Sequence, residues 1–187
     1  MNEPHEETGD IPFARFITKT AFGMKKSVPL SIGCISLQHN LYFSQWIDVY
    51  QFHDNFPSRT EDFKRKLRDA ASLQNVTGKE VWISEWQRLR TSGPGWDKSV
   101  IPEEEKIPLL SSLAEMVYQS GIGSFFWSLM IKPAYLPAQR INGTFNGLFH
   151  EDGSVYSASD YLSISGKQES PEVFAQPPKW YMKEMKQ

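Results

Sequence analysis

Glu80-Val81-Trp82-Ile83-Ser84-Glu85-Trp86 is the stretch on which the fold turns. An apolar run of strand length, residues 80–84, ends on a lone carboxylate flanked by an indole, and the turn residues Asn75 and Gly78 precede it. Helix-length amphipathic segments lie on either side. That alternation is what repeated βα units and a parallel sheet look like in sequence. In such a sheet a charge at the carboxyl end of a strand faces the central cleft instead of breaking the core. Glu85 equally suits a residue that simply opens the following loop.

Working outward, the same pattern occurs four times. Residues 12–24 suit a helix, and residues 29–36 (PLSIGCIS) a buried strand followed by a loop through Asn40. Residues 47–52 (IDVYQF) read as a second strand ending in His53-Asp54-Asn55. Residues 58–73 carry helical spacing with Phe63 and Leu67 on one face, and Ser58 with Glu61 has the form of a capping box. After a Gly- and Pro-rich loop at 92–102, residues 103–119 form a helix with an acidic first turn and apolar Leu109, Leu113, Met116 and Val117, stopped by Gly121 and Gly123. Residues 124–130 (SFFWSLM) are the fourth strand. One last short helix comes after Asp152-Gly153, and the tail from Gly166, with Pro171, Pro177 and Pro178, reads as extended.

Composition narrows the function classes. With 40% hydrophobic and 22% charged residues in 187, the chain has the make-up of one folded domain. Its 20 Lys+Arg against 22 Asp+Glu leave a formal charge of -2 and no long basic run, so nucleic acid and anionic membrane are not favoured partners. No apolar stretch approaches the roughly 20 residues of a membrane span, and the first residues, MNEPHEETGD, are acidic. Cys34, the single cysteine, reads as a small core residue. Asn75-Val76-Thr77 and Asn142-Gly143-Thr144 match the glycosylation acceptor pattern, which matters only in a eukaryotic secretory setting.

The candidate chemistry rests on two carboxylates. A retaining glycosidase needs a pair about 5 to 5.5 Å apart, one protonated to help the leaving group depart and one ionised to attack the anomeric carbon. Glu3 and Glu85 can supply it, although Asn2-Glu3-Pro4 also reads as an ordinary helix-entry loop. His53 suits a partner that steers a carboxylate, or a structural one bonded to backbone. Trp127 offers an indole face to a sugar or fills a core; Trp86, with Trp46 and Trp96, is a weaker stacking candidate, and Trp82 reads as core. The four histidines (His5, His39, His53, His150) have no close pairing at ligand spacing, so no metal is expected, and no nucleotide-binding motif is present.

These residues resemble a family: from about residue 2 to about residue 166 the chain looks like the second half of the cellulase-like, family-five-type members of the TIM-barrel clan of retaining glycoside hydrolases. Asn2-Glu3-Pro4 matches the Asn-Glu-Pro at the end of the fourth strand, where Glu is the acid/base and Asn binds the sugar 2-hydroxyl. Glu85, in Ile83-Ser84-Glu85-Trp86, matches the seventh-strand nucleophile. His53 matches the sixth-strand His of the innermost subsite, and Trp127 the eighth-strand Trp of the sugar platform. Asn146-Gly147-Leu148-Phe149 and Glu151-Asp152-Gly153 resemble the closing segment. Where the family has a Tyr two residues after the His, this chain has Asn55.

The resemblance implies a partial (β/α)8 barrel, from the end of strand four to strand eight. Residues 1–165 would form the carboxy-terminal half of the barrel domain and 166–187 an extended tail. Hydrolysis of β-linked glycans or glycosides by double displacement is expected, with a carbohydrate substrate, no cofactor and, by family habit, a secreted or extracellular setting. A barrel usually takes about 250 residues, so the chain alone is expected to be inactive or to need a complementing amino-terminal half. The alternative is a non-catalytic carbohydrate-binding half-barrel.

Overall fold

Valine, isoleucine and aromatic residues dominate three short segments that pair as a parallel sheet in the order β1-β2-β3: Tyr50–Asp54 (β1), Val81–Trp86 (β2) and Gly123–Phe126 (β3). The computed structural model describes residues 2–5, 7–24, 27–55, 57, 59–87, 103–127 and 179–184. Helices separate the strands, as the alternation requires: Asp10–Met24 (α1), Thr60–Thr77 (α2), Glu103–Gln119 (α3) and, beyond the sheet, Lys179–Glu184 (α4). A 3-10 helix, Gln38–Phe43, leads into β1. The class is α/β with parallel strands, as expected.

The strand register carries a detail invisible in the sequence. Phe52 pairs with Ile83, but His53 pairs with Glu85. On the other side Ile83 pairs with Ser124, and Trp86 with Phe126. Against both neighbours β2 therefore holds one residue too many, at Ser84, a β-bulge that re-aims the side chains beyond it. Paired residues of parallel strands share a face, and successive residues alternate. Tyr50, Phe52, Asp54, Val81, Ile83 and Trp86 accordingly form one buried face. Gln51, His53, Trp82, Glu85, Gly123 and Phe125 form the other.

Helices cover the first face. Phe63, Leu67, Ala70 and Leu73 of α2, with Leu110, Leu113, Ala114 and Val117 of α3, join it in one apolar core. The buried Asp54 is held from α2 by Lys66 Nζ at 2.6 Å. The second face is less enclosed, and Phe125 upon it is 52% exposed. On α1, Ala14 and Thr18 turn inward while Phe13, Phe16, Ile17 and Met24 lie 57, 63, 40 and 76% exposed, an apolar stripe at helical spacing.

Several expectations shift. Residues 29–36 form no regular strand: Gly33 alone makes a bridge, to Asn2. The segment still runs along β1, through Asp48 and Val49 N–H to Leu30 O (2.8 and 3.2 Å) and His53 N–H to Cys34 O (3.0 Å). A side chain breaks the ladder, since the Leu30 N–H goes to Asp48 Oδ2 at 2.8 Å. The second and third strands begin three and one residues later than the apolar runs did. Helix α2 starts at Thr60 with Arg59 at its N-cap and no side-chain cap; Ser58, expected to cap it, lies outside the described residues. Leu109 of α3 faces outward and Leu110 inward, because the buried set at 110, 113, 114 and 117 follows helical spacing one step from the expected one. Gly123 opens β3 instead of ending the helix. The loop at 92–102, the end of the fourth strand at 128–130, the closing segment and its short helix, Asn142, Trp96 and His150 lie outside the described residues.

Burial at 0% exposure pushes the Cys34 thiol up to about 12, in keeping with a core residue. The tail, expected to be extended, contains α4, whose Trp180 packs on the core and donates from Nε1 to Asp69 Oδ2 at 3.3 Å. Burial raises the Asp69 carboxyl above its ordinary value, against the lowering effects of Trp180 and Arg65. A raised carboxyl favours folding while protonated, so its contribution is complete below the ordinary carboxylate range and is lost as pH rises through the raised value. Asp69→Asn should therefore raise the thermal unfolding midpoint at neutral pH and leave it unchanged in acid. Equal midpoints for the two proteins at neutral pH would contradict this.

Candidate active site

Three chain segments meet at the carboxyl ends of the strands. His53 lies one residue before the end of β1 with Asn55 just beyond the strand, Glu85 lies near the end of β2, and Asn2-Glu3 is fixed beside them by the bridge to Gly33, with Glu3 N–H donating to Gly33 O at 2.7 Å. The surplus residue in β2 decides the grouping. Simple alternation from Ile83 would turn Glu85 toward the helices, whereas the bulge turns it to the face of His53.

His53 Nδ1 lies 2.6 Å from Glu3 Oε1 and 3.8 Å from Glu85 Oε2. With Glu3 ionised, it is Nδ1–H that donates. Asn55 Nδ2 donates to Glu85 Oε2 at 2.8 Å. The imidazole side chain is 5% exposed and the Glu85 and Glu3 side chains 22% and 36%, so a buried imidazole stands between two carboxylates that solvent can reach. Glu3 has φ +48°, the one positive value at a non-glycine among the described residues. Such a left-handed residue costs roughly 1–3 kcal/mol and persists only where its surroundings hold it, here the Gly33 bond and the His53 contact.

Gly33 makes the convergence sterically possible. A Cβ there would collide with Asn2 Oδ1 and stand 3.4 Å from His53 Cε1 and Nε2. Gly33→Ala should cost about 1–3 kcal/mol, as overpacking does, and separate Asn2 from the strand end. An unfolding midpoint equal to the wild type's would show that the site has slack.

One atom each from Glu3, His53 and Glu85 lie within 4.8 Å of one another, a grouping of metal-ligand types that sequence spacing did not reveal. The 2.6 Å between Nδ1 and Oε1 is a direct hydrogen-bond distance, shorter than the roughly 3.3 Å between two ligands held about 2.0 Å from a tetrahedral ion. The Glu3–His53 pair is therefore spaced as a direct hydrogen bond, while Glu85 stands 3.8 Å from the same nitrogen.

The other expected site residues divide. Trp127 continues from β3 and donates its N–H to Trp86 O at 3.0 Å, beside the end of β2. Asn2 adjoins the cluster. Trp86 does not join it: only 5% exposed, it pairs with Asp54 on the helix-facing side and packs edge-on against Phe126 at 5.1 Å. Trp46 lies under the Arg15 guanidinium at 5.5 Å. Trp82, expected in the core, is half-buried, its indole lying over Gly123 and donating to Glu80 Oε2 at 3.1 Å. Gly33 was missed; its signal, a glycine inside an apolar run, is one that marks close backbone approach.

Among solved structures, a β-D-glucuronidase from Dictyoglomus thermophilum matches 86% of this chain and 30% of its own, with 16% identity and a TM-score of 0.59. An exo-β-1,3-glucanase from Cryptococcus neoformans matches 87% of this chain and 66% of its own, with 13% identity and a TM-score of 0.61. The chain shares its fold with glycoside hydrolases of the TIM-barrel clan. A fungal β-1,4-galactanase has the same glycosidase fold over 82% of this chain and 55% of its own, at 16% identity and a TM-score of 0.51. The chain thus spans less than two thirds of each of these glycosidases. No protein-family model and no curated protein sequence matches it.

Proposed function

We propose that this chain carries the catalytic carboxylates of a retaining glycoside hydrolase acting on β-linked glycans or glycosides. The observation that carries the reading is the separation of those carboxylates: an oxygen of Glu3 and one of Glu85 lie within 4.8 Å of each other. Retaining enzymes hold their pair about 5 to 5.5 Å apart, whereas inverting ones need roughly 6.5 to 9.5 Å to admit a water. Glu85 attacks the anomeric carbon and forms a glycosyl ester. Glu3 gives its proton to the leaving oxygen, then takes one from the water that cleaves the ester.

His53 orients Glu3 through Nδ1 and lies close enough to Glu85 to sense its charge. Trp127 forms a sugar platform at the end of β3, and Asn2 meets the sugar beside Glu3. Residues 1–165 belong to the barrel and 166–187 follow it. The complete enzyme joins this partial barrel to further βα units. The exposed Phe125 on the inner sheet face and the apolar stripe of α1 support that, because a parallel sheet is normally covered on both faces. A purely carbohydrate-binding reading drew on Asn55 in place of a Tyr, and it loses ground because Asn55 still donates to Glu85.

The test is the stereochemistry of the first product. Proton NMR during hydrolysis of a β-glycoside by the complete enzyme should show the β-anomer appearing first; an α-anomer would exclude double displacement. The 187-residue chain alone should be inactive, and Glu85-dependent turnover by its monomer would refute the need for a complementing half.

A further inference from the structure

We infer that Asn55 is a positioning residue for Glu85, holding the nucleophile's Oε2 so that Oε1 is the attacking oxygen. The inference rests on the glycosidase reading for its meaning, though the contact itself stands apart from it. Asn55 Nδ2 donates to Glu85 Oε2 at 2.8 Å, and the second approach to Glu85, from His53 Nδ1 at 3.8 Å, is to the same oxygen. With both directed at Oε2, Oε1 is left for the substrate.

The use of the Asn55 amide separates this role from a structural one. Asn40, fully buried, spends both ends on the fold: Oδ1 accepts from Gln51 N–H at 3.0 Å, and Nδ2 donates to Gln51 O and Leu37 O at 2.8 and 3.0 Å. Asn55 spends its amino group on Glu85 and leaves Oδ1 buried with no hydrogen-bond partner among the described residues. A buried acceptor without a partner costs stability. A residue selected for stability alone would not be half-satisfied, and one serving Glu85 can be. The donor is also neutral at every pH, so it supports the ionised carboxylate without competing for its proton.

Two measurements test this, one independent of catalysis. In the isotope-labelled 187-residue chain, the Asn55 side-chain amide resonances should move through an acid titration in the wild type and in Glu3→Gln, but stay in place in Glu85→Gln. Equal movement in Glu85→Gln would overturn the contact, whether or not the chain hydrolyses anything. In the complete enzyme, Asn55→Ala should lower kcat roughly 10- to 100-fold, the rate equivalent of one hydrogen bond to a charged group, with KM within about threefold. Its unfolding midpoint should be unchanged or higher, and Asn55→Tyr should recover much of kcat. Unchanged kcat in Asn55→Ala would overturn the positioning role; absence of turnover in the wild-type enzyme would instead fail the glycosidase reading and leave the titration to judge the contact.

Discussion

Glu85→Gln is expected to lower turnover of the complete enzyme by about 10⁴-fold or more, the scale on which loss of a covalent nucleophile is felt. The amide matches the carboxylate in shape and can still accept from Asn55 Nδ2, which lies 2.8 Å from Oε2. It carries no charge to attack the anomeric carbon or to balance the positive charge that develops there. Substrate affinity should change little, because the loss falls on the transition state. Glu85→Gly provides the sharper form of the experiment: the vacated space admits a small anion, and azide should restore part of the rate and give a glycosyl azide of α configuration. Turnover within tenfold of wild type in Glu85→Gln would remove Glu85 from the mechanism.

Glu3→Gln should show a different signature, one that depends on the leaving group. General acid catalysis is worth roughly 10²- to 10⁴-fold, and it is needed only where the departing oxygen requires a proton. Natural glycosidic bonds should therefore lose rate across that range, while aryl glycosides with acidic phenols should form the glycosyl ester at nearly the wild-type rate and release it slowly. A uniform loss over all leaving groups would assign Glu3 to binding. The 2.6 Å contact with His53 makes His53→Ala informative beside it, because that variant frees Glu3 without removing its carboxyl.

Much of this was legible in the sequence, for reasons that differ by element. Residues 103–119 form a helix over the whole expected span, because an acidic start and a glycine stop bracket a continuous helical pattern. The parallel α/β class came from alternating runs, and the meeting of Glu3, His53 and Glu85 from a family resemblance. Register was not legible. Hydrophobic pattern reports which residues avoid water, not which residue of a neighbouring strand they meet, so Trp86 next to Glu85 looked like a sugar contact and is instead packed under the sheet. Leu109 and Leu110 are adjacent and equally apolar, and only packing chooses between them. Residues 29–36 read as a strand because Ile32 and Cys34 are buried as strand residues would be; that Asp48 would take the Leu30 N–H is a tertiary event.

Strand β2 changes parity at Ser84. Up to Ile83 its odd-numbered side chains belong to the structural side and its even-numbered ones to the ligand side; beyond Ser84 the assignments are exchanged, and Glu85 and Trp86 sit where they do because of the exchange. Which of the two side chains, Glu85 or Trp86, shares the face of His53 is thus set by the bulge. Excising Ser84 would restore plain alternation and leave Glu85 and Trp86 on the faces they occupy now, whereas a regular strand that kept Ser84 would trade the carboxylate for the indole, so one extra residue is harmless here only because the backbone bulges around it.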